Sequence, residues 1–272
     1  MQINEGIAVP GLLKTALCLL LVSFSGITVA NAGGHSVVQN KDTYAKALEA
    51  WQLVLSEHVD EMGRTDFVSL AKQPELLEQY VTAVAGYGPA SNPQDFASRE
   101  EVLAYHANTY NALAMHGVIT EGIPEAFDSF FKRAGFFKFR AVQIDGNKTN
   151  LYDYENKVIR PLDEPRMHFV LNCMVRDCPR LPQQVFRSET MEQQLAAATS
   201  EFLNSEKHVQ IDDEAKRIRV SAIMDFYTKD FVASGKRRDL PQYINRYRSE
   251  PLPDGFKVEY LTYDWTINQQ PD

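Results

Sequence analysis

The sequence predicts an α+β fold, with a helical N-terminal part and a central buried helix packed on a small, mostly antiparallel sheet. Three observations predict this class. Helical patterns fill the first half of the chain, strand patterns come later and are mixed with helices, and one predicted helix has no charged residue between positions 102 and 120. The sequence shows no internal repeat and no low-complexity tract.

Two amphipathic helices come first. Between residues 42 and 58, the apolar residues from Tyr44 to Leu55 recur at spacings of four and three, which places them on one helix face. A second helical pattern runs from 74 to 85 and stops at a loop rich in glycine and proline.

The third helix is the central one. Ser98 and Glu101 form a capping-box pattern at its start, in which each side chain satisfies a free amide of the first turn. From 102 to 120, apolar residues occupy nearly every side, which is typical of a buried helix. The polar side chains within it, among them Asn108 and Asn111, must then find hydrogen-bond partners inside the protein.

Strand patterns follow. Residues 139–144 alternate and meet Asp145-Gly146, a hairpin turn signal with a short return strand behind it. The apolar run from Met167 to Cys173 suits a buried strand. The remaining predicted elements are helices at 154–160, 190–204, 221–231 and 239–248, with Thr190 and Ser221 as caps, and strands at 208–211, 217–220 and 257–261.

The first 32 residues have the features of an export signal. Lys14 precedes an apolar run from Thr15 to Val29, and Ala30-Asn31-Ala32 matches a cleavage site. The apolar run is shorter than the roughly 20 residues that a transmembrane helix needs. We therefore predict a signal peptide at 1–32, one globular domain at 33–272 without a membrane span, and a periplasmic or secreted protein.

Composition narrows the classes of partner. The net charge is −8, and it stays −8 after the predicted cleavage because the signal contains one basic and one acidic residue. An acidic chain whose only basic run is Lys236-Arg237-Arg238 argues against nucleic acid and anionic membrane surfaces as partners. The sequence has no Walker A, G-x-G-x-x-G, H-E-x-x-H or G-x-S-x-G motif, so it predicts no cofactor.

The candidate chemistry centres on Cys173 and Cys178, the two cysteines that remain after cleavage. In an oxidising compartment they form one disulfide, or they leave a reactive thiol. A catalytic thiol needs a base, and His168 is the nearest in sequence. A zinc site of His168 and both cysteines is a further arrangement, although it matches no common ligand spacing.

The simplest pairing of thiol and base has a geometric difficulty. Side chains alternate along a strand, so Cys173 points away from His168 unless a bulge or a turn intervenes. Otherwise the base comes from His106 or His116 on the central helix.

Five separated motifs resemble the domain-of-unknown-function family 547. They are Tyr105 to Ala112, Leu151 to Arg160, His168 to Pro179, Phe226 to Phe231 and Tyr263 to Asn268. Their order and spacing fit the family over about residues 42–268. The resemblance implies an exported bacterial protein, and it supplies no reaction.

The resemblance also bears on single positions. It implies that Cys173 is more constant than Cys178, which favours a role for Cys173 itself. The chain departs from the family pattern at His106, where Trp is common, and at Met174, where a small residue, often Gly, is common. The first departure weakens a catalytic role for His106, and the second disfavours a tight turn after Cys173.

Three hypotheses follow. The first is a thiol-dependent hydrolase or transferase that acts on an amide or ester of a small molecule or peptide. Its site residues are Cys173 as nucleophile, His168 as base, Asn108 or Asn111 as orienting or oxyanion-stabilising amide, and Glu155 in support. The second is a non-catalytic envelope binding or assembly module, in which the same residues form a buried polar network closed by a disulfide. The third is a thiol redox protein.

Overall fold

The computed structural model of the protein describes residues 40–271. The α-helices there are α1 (Lys41–His58), α2 (Phe67–Leu70), α3 (Glu75–Gly86), α4 (Arg99–Thr120), α5 (Phe130–Arg133), α6 (Leu151–Tyr154), α7 (Met191–Asn204), α8 (Ile223–Phe226), α9 (Thr228–Phe231) and α10 (Leu240–Ile244). The predicted signal at 1–32 and its cleavage site lie outside the described residues.

Five short strands form two sheets within this part of the chain. They are β1 (Val142–Ile144), β2 (Asn147–Thr149), β3 (Val209–Asp212), β4 (Arg217–Val220) and β5 (Lys257–Tyr260). The first two form an antiparallel hairpin around Asp145-Gly146, whose positive φ values are those of the predicted turn. In the other sheet, β4 pairs antiparallel with β3 and parallel with β5. The predicted α+β class is confirmed.

The predicted buried helix is α4. Its capping box is present: the Ser98 backbone N–H donates to Glu101 Oε2 at 2.8 Å, and the Glu101 backbone N–H donates to Ser98 Oγ at 3.1 Å. The helix packs against α2, α3, α6 and α7 in the larger of two hydrophobic clusters. Among residues 40–271, no helix combines the length and the apolar character that a bilayer crossing requires.

A second hydrophobic cluster surrounds the three-stranded sheet. Val209, Ile218 and Val258 contribute one residue from each strand, and Phe169 and Phe202 join them from outside the sheet. Phe169 follows directly on Met167 and His168, and Met167 belongs to the larger cluster. The segment that carries His168 therefore lies where the two clusters meet.

The predicted strand from Met167 to Cys173 is wrong. Residues Pro165–Phe169 form a 3₁₀ helix, which the Glu164 side chain caps by accepting the Arg166 backbone N–H at 3.2 Å. Proline is favoured at the first helical position, and a capping side chain there starts a helix. The run is apolar because it is buried between the clusters, and not because it pairs in a sheet.

Several other predicted elements begin, end or divide at residues other than those predicted. Residues Ala134–Phe139 form a π-helical turn that extends α5, so the predicted strand begins only at Val142. A second π-helical turn, Glu155–Ile159, extends α6 over the predicted helix at 154–160. Thr190 makes no capping bond to α7 and donates its hydroxyl to Gln194 Oε1 instead. The predicted helix at 221–231 divides into α8 and α9.

The C-terminal segment 264–270 is extended and joins three distant parts of the chain. Phe127 N–H donates to the Trp265 carbonyl, and Ile267 N–H donates to the Glu125 carbonyl. The segment also bonds to the chain at 174–176 and to Thr65. The backbone bonds are Arg176 N–H to Thr266 O, Asn268 N–H to Met174 O, Thr65 N–H to Asn268 O and Gln270 N–H to Thr65 O. We call this segment the C-terminal clip.

Candidate functional site

Asn111 on α4 fixes the chain just before the first cysteine. Its amide nitrogen donates to the Val170 carbonyl at 2.9 Å, and its amide oxygen accepts the Asn172 backbone N–H at 2.7 Å. The side chain is buried at the centre of the domain, with 1% of the residue exposed. Both ends of this amide are occupied by backbone groups of the cysteine-bearing segment.

Asn108, three residues earlier on the same face of α4, does the same for another loop. Its amide nitrogen donates to the Phe186 carbonyl at 2.8 Å, and its oxygen accepts the Phe186 N–H at 3.0 Å. A buried loop needs partners for its backbone, and each asparagine supplies a donor and an acceptor as a neighbouring strand would. Asn108 and Asn111 therefore both hold the backbone of a buried loop.

The loop from Asn172 to Pro179 closes on itself through hydrogen bonds of the Asn172 side chain. Asn172 accepts the Met174 N–H at 2.7 Å and donates to the Pro179 carbonyl at 2.6 Å. Met174 has a φ of 64°, in the left-handed region that favours glycine. The tight turn after Cys173 therefore forms in spite of the methionine, and its geometry explains why a glycine suits this position.

Cys173 and Cys178 are joined by a disulfide. Cys178 is buried and Cys173 is half-buried. The Tyr263 hydroxyl lies 3.6 Å from the Cys173 sulfur and 3.5 Å from the Cys178 sulfur, and the Cys173 N–H donates to the Cys178 sulfur at 3.0 Å. In this state Cys173 has no thiol with which to attack a substrate.

His168 makes its contacts with carboxylates. Its Nε2 lies 2.8 Å from Asp230 Oδ2, and its Nδ1 lies 3.9 Å from Glu155 Oε1. The Tyr227 ring stacks on the imidazole with 4.0 Å between ring centroids. Arg160 holds the other side of Asp230 with two bonds of 2.6 and 2.7 Å. The residue predicted as the base is thus part of an ion-pair network between the two hydrophobic clusters.

Glu155 is buried beneath this network and faces phenols. The Tyr110 hydroxyl donates to Glu155 Oε2 at 3.3 Å. Burial, and then the nearby Glu155 carboxylate, raise the pKa of Tyr110 and of Tyr227 well above the usual value for a phenol. The phenols therefore stay protonated, and Tyr110 is able to donate a hydrogen bond to the carboxylate.

Little space adjoins the His168 network. A cavity of about 120 Å³ touches Arg160, His168 and Asp230. Pockets for small organic ligands have volumes of about 300 to 1,000 Å³, so this cavity suits a few water molecules better than a peptide or ester.

The other predicted bases lie elsewhere. His106 Nδ1 is 2.6 Å from the Tyr154 hydroxyl, and burial lowers the pKa of His106 to about 4. Burial and then the Arg140 charge lower the pKa of His116 as well. Among the described residues, no group of three or more His, Cys, Asp or Glu side chains is placed to hold a metal ion. His168, Cys173 and Cys178 do not form the zinc site considered above.

The structure thus brings Asn111 to the cysteine loop and brings Glu155 to His168. Sequence reasoning missed Asp230, Arg160 and Tyr263 as the partners of His168 and of the sulfurs. The signal was present, because all three belong to motifs that carry the family resemblance. The catalytic roles of Cys173 and the other site residues stay predictions.

The Asp230 network predicts a pH dependence of stability. Burial raises the pKa of Asp230, but hydrogen bonds from Arg160 and His168 outweigh it and hold the pKa well below its usual value. A carboxyl group with a lowered folded pKa stabilises the fold above its unfolded pKa of about 3.9, and this stability is lost as the pH falls further. Asp230→Asn should cost about 2 kcal/mol at pH 7, between typical exposed and buried pairs.

The measurement is the free energy of unfolding in urea between pH 7 and pH 3 for the wild type and Asp230→Asn. Below about pH 4, the free energy of unfolding should fall less steeply with pH in the variant than in the wild type. Glu192→Gln is the matched control, because Glu192 also forms two bonds with an arginine, Arg166, but is largely exposed. An equal loss of unfolding free energy in both variants at pH 7 would show that the Asp230 network stabilises the fold no more than an exposed ion pair does.

One large concave surface lies beside the disulfide loop. It is a groove of about 1220 Å³, bordered by Cys178 and Pro179, by α7 and by the C-terminal clip. Charged side chains in it pair with each other: Arg180 binds Glu201 through bonds of 2.5 and 2.8 Å. The groove is large enough for an extended peptide.

These features define a class of protein: an α+β domain whose central helix uses asparagines to hold a disulfide-closed loop against its core. Residues 94–203 match the model of the family described as "Protein of unknown function, DUF547", and this region of the chain is similar to that family. The motifs at 226–231 and 263–268 lie outside the match. No curated protein and no solved structure matches the chain.

Proposed function

We propose that this domain is a non-catalytic binding module, held in shape by its disulfide, and that its groove binds an extended peptide segment of a partner. One observation carries the proposal: the groups predicted for catalysis are engaged in structural contacts. Cys173 is bonded to Cys178, Asn111 binds backbone at both ends, and His168 lies between carboxylates.

The size of the two cavities supports the same reading. The space beside His168 is too small for an amide or ester substrate, whereas the groove beside the disulfide loop is about ten times larger. We place the protein in the periplasm or outside the cell, where a disulfide persists.

The test is a thiol count on the native protein purified without reductant. We expect no reaction of Cys173 or Cys178 with iodoacetamide, before or after denaturation. Reduction, or the double variant Cys173→Ser/Cys178→Ser, should lower the free energy of unfolding by about 2 kcal/mol, the chain-entropy value for so short a loop.

The outcome against this proposal is equally concrete. Native protein in which iodoacetamide labels Cys173 rapidly, and in which Cys173→Ala prevents labelling, would restore the thiol-dependent enzyme. Cys178→Ala is the control, because it frees the Cys173 thiol and shows the reactivity that the disulfide blocks.

A second candidate function is thiol–disulfide exchange with a dithiol partner. An incoming thiolate would attack the half-buried Cys173 sulfur and form a mixed disulfide. The S–S electron pair would then leave as a thiolate on Cys178. Two donors already point at that sulfur, the Cys173 N–H and the Tyr263 hydroxyl, and a stabilised leaving thiolate speeds exchange. A second thiolate of the partner would release Cys173 and leave the partner oxidised.

Tyr263→Phe separates the two candidates. For exchange, the variant should react more slowly with a dithiol than the wild type at equal stability. Equal rates in both proteins would leave the disulfide with a structural role.

A further inference from the structure

The segment from α5 to the following π-helical turn exposes phenylalanine side chains. Phe131 is 83% exposed, Phe139 is 75% exposed and Phe130 is 47% exposed. Among residues 40–271, these three are the exposed aromatic side chains. Phe130 and Phe131 lie with 5.7 Å between ring centroids, and exposed apolar groups in contact mark interaction surfaces.

The exposure is a property of the folded segment. Its other side is anchored, because Phe136 is buried and packs on Phe127 with 4.4 Å between ring centroids. The Ser129 side chain accepts the Lys132 backbone N–H and caps α5. Arg133 donates to the Phe127 carbonyl at 2.9 Å. The rings of Phe131 and Phe139 are thus held outward by a fixed scaffold.

The same segment is basic in an acidic chain. Residues 128–140 contain four basic residues and one acidic residue, a local net charge of +3 against −8 for the whole chain. Lys132 and Lys138 each adjoin an exposed phenylalanine in the sequence and are themselves exposed. Lys132 Nζ lies 3.1 Å from the exposed Asp128 carboxylate, and Lys138 Nζ lies 5.3 Å from the centre of the Tyr152 ring. The charge of the whole chain argues against anionic membrane surfaces, but its distribution places positive charge where the aromatic rings are exposed.

We propose that these residues, the Phe/Lys surface of Phe130, Phe131, Lys132, Lys138 and Phe139, bind peripherally to an anionic bilayer. Phenyl rings insert at the boundary between headgroups and acyl chains, while lysine ammonium groups bind lipid phosphates. The local positive charge favours an anionic bilayer over an apolar protein interface, because only the bilayer offers negative charges for the lysines to bind. The proposal goes beyond the proposed function, since this surface does not border the groove.

The test is sedimentation of the protein comprising residues 33–272 with two kinds of vesicle. One is phosphatidylcholine alone, and the other contains about one-third phosphatidylglycerol. We expect binding to the anionic vesicles that weakens with salt, because exposed charges are screened. Lys132→Glu/Lys138→Glu should weaken binding by about 30-fold or more, at roughly fivefold for each basic residue lost. Phe131→Ser/Phe139→Ser should also abolish detectable binding.

Matched controls exclude general effects of charge and hydrophobicity. Met62→Ser removes an exposed apolar side chain elsewhere, and Lys236→Glu reverses a charge in the only basic run evident from sequence. Both should bind as the wild type does. All variants alter exposed positions, and unchanged thermal unfolding would show that they fold.

Three results would overturn the proposal. They are wild-type protein that does not bind the anionic vesicles, equal loss of binding in Lys236→Glu, and a wild-type dimer that becomes monomeric in Phe131→Ser/Phe139→Ser. The last result would assign the Phe/Lys surface to a second copy of the chain.

Discussion

Asn111→Ala should destabilise the domain by about 3 to 5 kcal/mol, because it leaves the Val170 carbonyl and the Asn172 N–H buried without partners. Each unsatisfied group costs about 1 to 3 kcal/mol, and the cavity left by the side chain adds to the loss. Such a loss is large against the total stability of about 5 to 15 kcal/mol that is usual for a domain.

Asn111→Leu distinguishes the causes. Leucine has the same branching and a larger volume, so it leaves no cavity and restores no hydrogen bond. We expect it to be nearly as destabilising as alanine in urea unfolding, and we expect faster amide hydrogen exchange at Asn172 in both variants. A leucine variant as stable as the wild type would show that Asn111 acts by packing alone.

Ending the chain at Asp264 should have the largest effect, a loss of about 5 kcal/mol or more. The truncation removes six backbone hydrogen bonds and the buried Ile267 side chain. At about 1 kcal/mol for each hydrogen bond and about 2 kcal/mol for the isoleucine, the lost interactions are comparable with the stability of a whole domain.

The measurement is thermal unfolding followed by circular dichroism. A chain ending at Gln270 is the control, because it keeps all six of the backbone bonds that the shorter chain loses. We expect the control to unfold at the wild-type temperature, whereas the chain ending at Asp264 should be largely unfolded at 25 °C. Equal unfolding temperatures would show that the clip adds nothing to stability.

Local signals in the sequence predicted the elements that depend on near neighbours. The capping box of Ser98 and Glu101, the uncharged run that follows it, and the Asp145-Gly146 turn all act within a few residues, and the structure confirms each. The strand over 167–173 failed because an apolar run of that length does not distinguish a strand from any other buried segment. Pro165 was the signal that favours a helix start there.

The contacts of the site also divide into those that a local pattern in the sequence predicts and those that it does not. Buried amides on an uncharged helix need partners, so the sequence predicted that Asn108 and Asn111 either hold backbone or serve catalysis. His168 and Asp230 are 62 residues apart, and no local pattern in the sequence predicts the contact between them. Strand alternation was the wrong geometry for His168, because the 3₁₀ helix turns the imidazole towards Asp230 and the junction of the two clusters.

The C-terminal clip has a consequence for the order of events during biosynthesis. The chain around Thr65, the chain around Glu125 and the turn at Met174 each complete their hydrogen bonds only with residues 265–270, which are synthesised after all three. Contacts of such long sequence separation form late, since loop closure precedes any gain from them. A nascent chain therefore cannot complete its native fold before residues 265–270 have been synthesised.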